Sequence, residues 1–457
     1  MYKIKREAPE QLLTVGKPYK KIVRFTLPIL AGSLFQQLYN MADAFIVSRI
    51  LGVDAFAGVS STGGLTFLIL GFAQGMTAGL SIAMAQSFGA QDYQSVKKHY
   101  LHNLVISLLT GVLLTIIALV CNRHLLMLLR TPDELFEYAY AYLQIIFAGI
   151  LASMLFNFYA NALRALGDSR SPLNYLLIAS ALNIVLDIIL ILWTPLGVRG
   201  AALATVLSQG TSAMLCMRKI ARSVSILSLK DYKDGWDFRT AFHNLRYGLP
   251  MAFQSSIIAL GVIVMQFATN NMGAVAVASY AVAAKIDGIA VEPLRSLGMT
   301  MTTFTAQNYG AGKLNRILTG VKQSIWISAG MSVALGLLMY FGGWWLSAMF
   351  IGTSKPVVLE QAHMFLIIHG VLYIILALLF IFRFSLQGLG YAAIPTVAGV
   401  MELVMRVVAA FFLVPRYEFV GASFATPLSW LGALIPVMAA YYLSAKNKLS
   451  ITKKETL

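Results

Sequence analysis

The sequence predicts an all-α integral membrane protein with twelve transmembrane helices in two pseudo-symmetric six-helix bundles. Three observations predict it: an apolar composition, twelve apolar runs of helical length, and an internal repeat spanning half the chain. Of the 457 residues, 58% are hydrophobic and 12% charged. The mean hydropathy of +0.74 lies far above that of a soluble protein of this length. The apolar runs are centred near residues 35, 70, 110, 149, 183, 209, 259, 293, 330, 373, 404 and 432. At roughly 20 residues each, they are long enough to cross a ~30 Å hydrocarbon core as helices. Gly, Pro and charge clusters punctuate them, which argues for a helical bundle rather than a barrel.

The repeat is legible in short matched segments. Ala85-Gln86-Ser87-Phe88-Gly89-Ala90 corresponds to Ala306-Gln307-Asn308-Tyr309-Gly310-Ala311, and each is followed by a basic amphipathic segment and a long apolar run. Upstream, Leu27-Pro28 matches Leu249-Pro250. Downstream, Leu166-Gly167 with Pro172 matches Leu389-Gly390 with Pro395, and Gly200-Ala201 matches Gly421-Ala422. A repeat of this size is the signature of a secondary transporter built from two bundles around a central site. Six spans per repeat bring the second half in from the same side as the first, so the halves are parallel repeats about an axis along the membrane normal.

The elements follow in order. Residues 1–21 form a basic cytoplasmic segment with no apolar stretch and small-residue cleavage site of a removed signal peptide. Residues 22–222 hold the first six spans, and 223–244 a polar linker containing Asp231, Asp234 and Asp237. Residues 245–445 hold the other six spans and 446–457 a basic tail. An even number of spans puts both termini on one side, and 26 of the 35 Lys and Arg fall there, Arg383 and the 97–98 pair among them. The opposite loops carry Arg49, Arg123, Arg130, Arg199, Lys355 and Arg416. The positive-inside rule therefore makes both termini cytoplasmic. The net charge of +16 reads as topology plus attraction to anionic lipid headgroups. A nucleic-acid partner finds no support, because the basic residues are spread along the chain. Cys121 and Cys216 fall near opposite membrane faces, too far apart for a disulfide. His99 and His102 share a helix face beside a cytoplasmic loop and read as solvated; no histidine lies in a metal-binding pattern.

Ionisable residues inside the spans carry the mechanistic information, because each costs at least ~2.5–3.5 kcal/mol on the insertion scale. They are Asp43, Asp187, Lys285, Asp287, Glu292, Arg295, Glu402 and Arg406. Asp43 ends a polar stripe with Gln36 and Asn40 on one face of span one. Asp187 on span five has Asn183 one turn before it. Neither acid has a basic residue at i±3 or i±4. In the second half the matching positions are Met265 and Ala410, so the acids are not a requirement of the repeated scaffold. Glu402 and Arg406 stand at i,i+4 and neutralise each other. Glu292 stands at i,i+3 from Arg295 and seven residues from Lys285; Asp287 faces another way.

Together the segments TLPILAGSLFQQLYNMADAFIVSRILG, AMAQSFGAQD, NALRALGDSRSPLN, ALNIVLDIILI, GVRGAALAT and TFTAQNYGAGK resemble those of multidrug and toxic compound extrusion (MATE) transporters. The likeness covers residues 20–445. It implies two six-helix lobes facing a central cleft, and exchange of H+ or Na+ for organic cations and amphipathic drugs by alternating access. It implies a cation-coupling site in the N-lobe at Asp43, with Asn183, Asp187, Thr205, Gln36 and Asn40, and a bend of the first helix at Pro28. Either Asn157 or Asn161 on span four completes that site. Asn157, Asn161, Gln254, Asp287 and Glu292 are candidates for substrate contact or gating. Another branch of the family uses acids on helices seven and ten; here span seven offers Gln254 and Ser255 instead, and span ten no acid.

No catalytic group, metal centre or cofactor is expected beyond the coupling ion, H+ or Na+, which at Asp43 and Asp187 could be a bound Na+. The expected partners are small cationic or amphipathic molecules and membrane lipid, with the chain a monomer in the cytoplasmic (inner) membrane. With 20 Met, 26 Phe and 20 Tyr, the cleft has adaptable and cation-attracting side chains to draw on. Two alternatives remain. A flippase for a lipid-linked oligosaccharide would need a strongly basic cleft, for which Lys285, Arg295 and Arg406 are the candidates. A membrane-embedded enzyme would need a nucleophile–base pair or phosphate loop, and none appears at an expected spacing.

Overall fold

In a computed structural model, the backbone is described for residues 12–129, 131–227 and 235–455, with side chains to residue 444. The N-terminal segment to residue 11, Arg130, linker residues 228–234 with Asp231 and Asp234, and the tail's side chains and last two residues lie outside the described residues. The described chain is helical, with no strand among its elements. The first eight helices are α1 (Pro18–Leu51), α2 (Val53–Ser61), α3 (Gly63–Gly89), α4 (Tyr93–Leu128), α5 (Asp133–Ala148), α6 (Ile150–Ala165), α7 (Arg170–Leu192) and α8 (Val198–Ser223). There follow α9 (Phe238–Asn270), α10 (Ala274–Gly310), α11 (Leu314–Ile351), α12 (Pro356–Gly388), α13 (Ala393–Val408) and α14 (Val414–Glu455).

Among the described residues, nine helical stretches are long and apolar enough to cross a membrane, or ten if α5 and α6 count as one span bent by 47°. One of the nine, Ala393–Ser444, runs for 52 residues, about 78 Å at the helical rise and more than twice the hydrocarbon thickness. It contains a π turn at Ala409–Leu413 and a non-helical residue, Glu418, at φ +48°. The wide turn separates α13 from α14, and the reversed φ kinks α14 near its start.

The chain divides into two compact units. Unit 1 holds 27–256 and unit 2 holds 13–26 with 257–457, apart from the first residues. The division thus falls inside α1 beside Pro28 and inside α9 beyond Pro250. At both prolines the missing N–H removes one helical hydrogen bond, yet each helix continues. In unit 1, α6 packs on α3, α4 and α8, and α7 packs on α8. In unit 2, α12 is the central element, packed on α10, α11 and α14.

Each unit ties down an entering segment with polar contacts. In unit 2 the Leu13 N–H donates to Gln307 Oε1 at 2.9 Å, Arg316 Nη2 donates to the Leu13 carbonyl at 3.0 Å and Lys313 Nζ donates to the Thr14 carbonyl at 3.0 Å. In unit 1 the Asp237 N–H donates to His102 Nε2 at 2.9 Å, and Lys98 Nζ lies 2.7 Å from Asp237 Oδ2. Lys98, with Thr240, holds the Asp237 carboxyl well below the usual carboxylate range. This corrects the expectation that His99 and His102 are solvated. His102 is fully buried, stacked on Trp236, and His99 Nδ1 lies 2.8 Å from Asn244 Oδ1. The linker residues that cover them come from 134 or more positions away, which a local reading does not register.

Close helix approach in unit 1 depends on glycine. Gly75 and Gly79 share one face of α3, and a β-carbon there would lie 2.3 Å from the Met251 carbonyl oxygen and 2.4 Å from that of Tyr247. Such small-residue faces let membrane helices meet backbone to backbone. Gly79→Leu should therefore lower the thermal unfolding temperature of the detergent-purified protein, at an overpacking cost of about 1–3 kcal/mol. Gly330→Leu, where a β-carbon meets nothing within 4 Å, should leave it nearly unchanged.

Candidate functional site

The site is built from α5, α6, α7, α8 and the part of α1 that belongs to unit 1. The 3.6-residue period puts Asn183 and Asp187 one turn apart on the same face of α7, and both are buried, at 1% and 0% exposure. The Asp43 carboxyl on α1 comes within hydrogen-bonding reach of the Asp187 carboxyl. As carboxylates neither can donate. Accordingly Asp43 Oδ1, both oxygens of Asp187 and both side-chain polar atoms of Asn183 are buried and find no hydrogen-bond partner among the described residues.

Around the acids stands a polar ring that the sequence reading missed. Tyr39 is hydrogen-bonded to Gln36 and Gln209 and lies within electrostatic reach of both acids. Tyr142 on α5 is within reach of the same two. The Ser153 hydroxyl on α6 donates to Gln209 Oε1. Gln209 was visible as a polar residue in an apolar span, whereas Tyr39 and Tyr142 do not stand out among 20 tyrosines.

One turn beyond the acids the polar ring gives way to a hydrophobic cluster. Val47, Ile191 and Ala201 pack together with Ile46, Ile50, Leu51 and Tyr142. Val47 follows Asp43 by four residues, Ile191 follows Asp187 by four, and Ala201 precedes Thr205 by four. The shared cluster therefore sets Thr205 level with the two acids. It covers them on the side where α1 ends at Arg49 and α8 begins near Arg199.

Other sequence candidates lie elsewhere. Asn40 is exposed. Asn157 Nδ2 donates to the Ser153 carbonyl of its own helix at 2.8 Å. Asn161 contacts Thr77 at 3.3 Å and Arg164 at 3.1 Å, so α6 reaches the acids through Ser153 and Gln209. Gln254 is buried. Glu292 pairs with Arg295 at 3.1 Å. Asp287 accepts from Tyr373 at 2.8 Å and faces His369 at 3.0 Å. Arg383 departs from its sequence placement among loop cations. It is 3% exposed on α12, and its Nη2 donates to Glu402 Oε1, while Arg406 Nη2 stands 3.8 Å from Glu402 Oε2. A charge near a helix end reads as a loop charge until the partner on another helix is known.

The repeat control has a structural counterpart. Met265 and Ala410, which match Asp43 and Asp187, meet in a hydrophobic cluster with Ala409, Val414 and Ala422. The backbone framework is shared: a β-carbon on Gly200 would lie 2.8 Å from the Leu190 carbonyl oxygen, and one on Gly421 2.3 Å from that of Leu413. The same scaffold thus holds an acid pair in unit 1 and an apolar contact in unit 2. Two carboxylates about 4 Å apart repel by about 4 kcal/mol at an effective dielectric of ~20. A proton or an alkali cation between them removes that repulsion, and the surrounding donors are all oxygens suited to a hard ion.

The MatE family model matches residues 28–189 and 250–412, one match in each repeat. The chain belongs to the MatE family. MatE proteins are transporters, not enzymes. The chain is 27% identical, over 97% of its length and 98% of the relative's, to the probable multidrug resistance protein YoeA of Bacillus subtilis. It is 28% identical to the probable multidrug resistance protein YpnP of the same organism, over 66% of the chain and 68% of the relative. A multidrug resistance MATE family transporter of the MOP superfamily, solved in an outward-facing conformation, superposes with a TM-score of 0.89 at 24% identity, covering 98% of this chain and 99% of that one.

The site predicts opposite stability effects for two charge-neutralising substitutions. Asp187→Asn supplies an N–H to Asp43 and removes the repulsion. It should raise the unfolding temperature in detergent at neutral pH, by the equivalent of about 1–3 kcal/mol. Glu402→Gln leaves two buried guanidinium groups without their counter-ion and should cost about 3–5 kcal/mol. A lower unfolding temperature for Asp187→Asn would contradict the repulsion argument.

Proposed function

We propose that the protein is a cation-coupled antiporter that exports organic cations and amphipathic drugs from the cytoplasm, with Asp43 and Asp187 as the site for H+ or Na+. The observation that carries this reading is the pair of mutually facing carboxylates, Asp187 fully buried and Asp43 half-buried, with buried oxygens that have no partner among the described residues. Family membership and relatives described as multidrug resistance proteins support the substrate class. The bound cation cancels the repulsion between α1 and α7 and so stabilises one arrangement of unit 1 over another. Antiport needs the cation and the drug to favour different arrangements by only a few kcal/mol. Pro28, where α1 lacks one hydrogen bond, is the point about which the helix bends.

We further infer twelve crossings: α1, α3, α4, the bent pair α5–α6, and each helix from α7 to α14. With twelve, both termini are cytoplasmic and the loops after α1 and before α8 lie outside. The hydrophobic cluster at Val47, Ile191 and Ala201 then covers the acid pair on its outer side. The protein works as a monomer in the cytoplasmic membrane, in contact with its lipid. The flippase alternative required a basic cleft, but Arg295 and Arg406 are engaged by Glu292 and Glu402.

Proteoliposomes loaded with a fluorescent lipophilic cation test the proposal. Wild type should move the dye when a pH or Na+ gradient is imposed, and omission of Na+ at fixed gradient identifies the ion. Asp43→Asn should keep the fold, bind the dye and lose gradient-driven movement by at least about tenfold, a difference of ~1.4 kcal/mol or more in the barrier. Wild-type rates in Asp43→Asn would overturn the assignment.

A further inference from the structure

Unit 2 holds a half-buried carboxylate, Asp287, whose surroundings the N-lobe site does not explain. Asp287 on α10 meets two residues of α12. The Tyr373 hydroxyl donates to Asp287 Oδ1 at 2.8 Å, and His369 Nδ1 lies 3.0 Å from the same oxygen. On the far side of the ring, His369 Nε2 lies 3.1 Å from the Ser423 carbonyl oxygen on α14. His369 is 1% exposed and Tyr373 0%. The imidazole is held from the sides by Phe365, stacked at a centroid distance of 3.9 Å, and Trp430, edge-on at 5.2 Å.

Counting donors and acceptors fixes the hydrogens. A carbonyl oxygen only accepts, so Nε2 carries a hydrogen and donates to Ser423. The Nδ1 contact to Asp287 is then a hydrogen bond only if a further proton lies between them, whether on nitrogen or on oxygen. Without that proton an Nδ1 lone pair faces a carboxylate oxygen. The ring can shift its hydrogen from Nε2 to Nδ1, but then the Nε2 lone pair faces the Ser423 carbonyl. Either way one of two interhelical bonds is lost, from α12 to α10 or from α12 to α14.

We propose that Asp287 and His369 form a proton-binding site in unit 2 that holds one proton between Oδ1 and Nδ1, and that its loss loosens α12 from a neighbouring helix. The repeat argues that the site is not scaffold. The positions matching Asp287, His369 and Tyr373 in unit 1 are Thr66, Ile146 and Ile150, and Ile146 and Ile150 lie in a hydrophobic cluster with Leu65 and Phe147. Unit 1 thus has an apolar pair where unit 2 has His369 and Tyr373, and an uncharged threonine where it has Asp287. The titratable groups around the site, among the described residues, are Tyr373 on α12, Tyr280 on α10 and Arg406 on α13, with Tyr280 in electrostatic reach of Asp287 and Arg406. From α14 the ring meets a carbonyl and an indole.

Trp430 reports on the site, because an imidazolium in ring contact quenches indole emission. Fluorescence of the full chain in detergent micelles is recorded from about pH 4 to about pH 10, across the range of His titration. Subtracting the same curve for Trp430→Phe removes the other five tryptophans. A single step is expected in wild type, absent in both Asp287→Asn and His369→Gln. Tyr373→Phe removes a donor to the carboxylate but keeps both proton-holding groups, so it should keep the step. Asp43→Asn should leave the step in place, which separates this site from the acid pair of unit 1. A flat wild-type curve, or a step that persists unchanged in Asp287→Asn, would overturn the proposal.

Discussion

Two carboxylates within hydrogen-bonding reach of each other, one fully and one half buried, with no ion pair to either among the described residues, are the constraint on which unit 1 turns. Water would screen such a pair, and a basic neighbour would neutralise it. Here Asp43 and Asp187 have Tyr39, Tyr142, Asn183 and Gln209 around them and an apolar cluster one turn away. Those neighbours orient the carboxylates without cancelling their charge. Where both are ionised they repel each other across α1 and α7, and a proton or cation held between them would relieve that repulsion. Glu402 shows the contrast, since two guanidinium groups neutralise it in place. A charge that is already neutralised has nothing to exchange.

The two repeats share a backbone plan and differ in where they become polar. Gly200 and Gly421 make the same close approach to a carbonyl, and Ala201 and Ala422 fill the same kind of apolar cluster. On this common frame unit 1 is polar between α1 and α7, where unit 2 packs Met265 against small side chains. Unit 2 is polar between α10 and α12, where unit 1 packs Ile146 and Ile150. Burying a polar group costs free energy unless it is partnered, so an apolar contact in the sister repeat shows that the fold has no need of it.

Much of this was legible in the sequence because a bilayer makes exceptions conspicuous. Asp43 and Asp187 stand out because ionisable residues are costly in apolar spans, and the matched glycines and prolines reveal the repeat. What escaped was contact between distant positions. Arg383 sits five residues before a helix ends and reads as a loop cation; its salt bridge with Glu402 depends on how α12 meets α13. His102 reads as solvated because the residues that bury it, Trp236 and Asp237, lie across a polar linker. Asp287 offers no local partner, and its histidine and tyrosine come from 82 and 86 residues away. Tyrosine is common in this chain, so Tyr39 and Tyr142 acquire meaning only beside the acids.

The most direct measurement is a count of the protons that the purified protein gives up in weakly buffered detergent solution when a saturating lipophilic cation or Na+ is added. If the acid pair holds a proton that the antiported species displaces, wild type should release about one proton per chain, and Asp43→Asn none. Equal release from wild type and Asp43→Asn, or no release from wild type with either addition, would contradict the account.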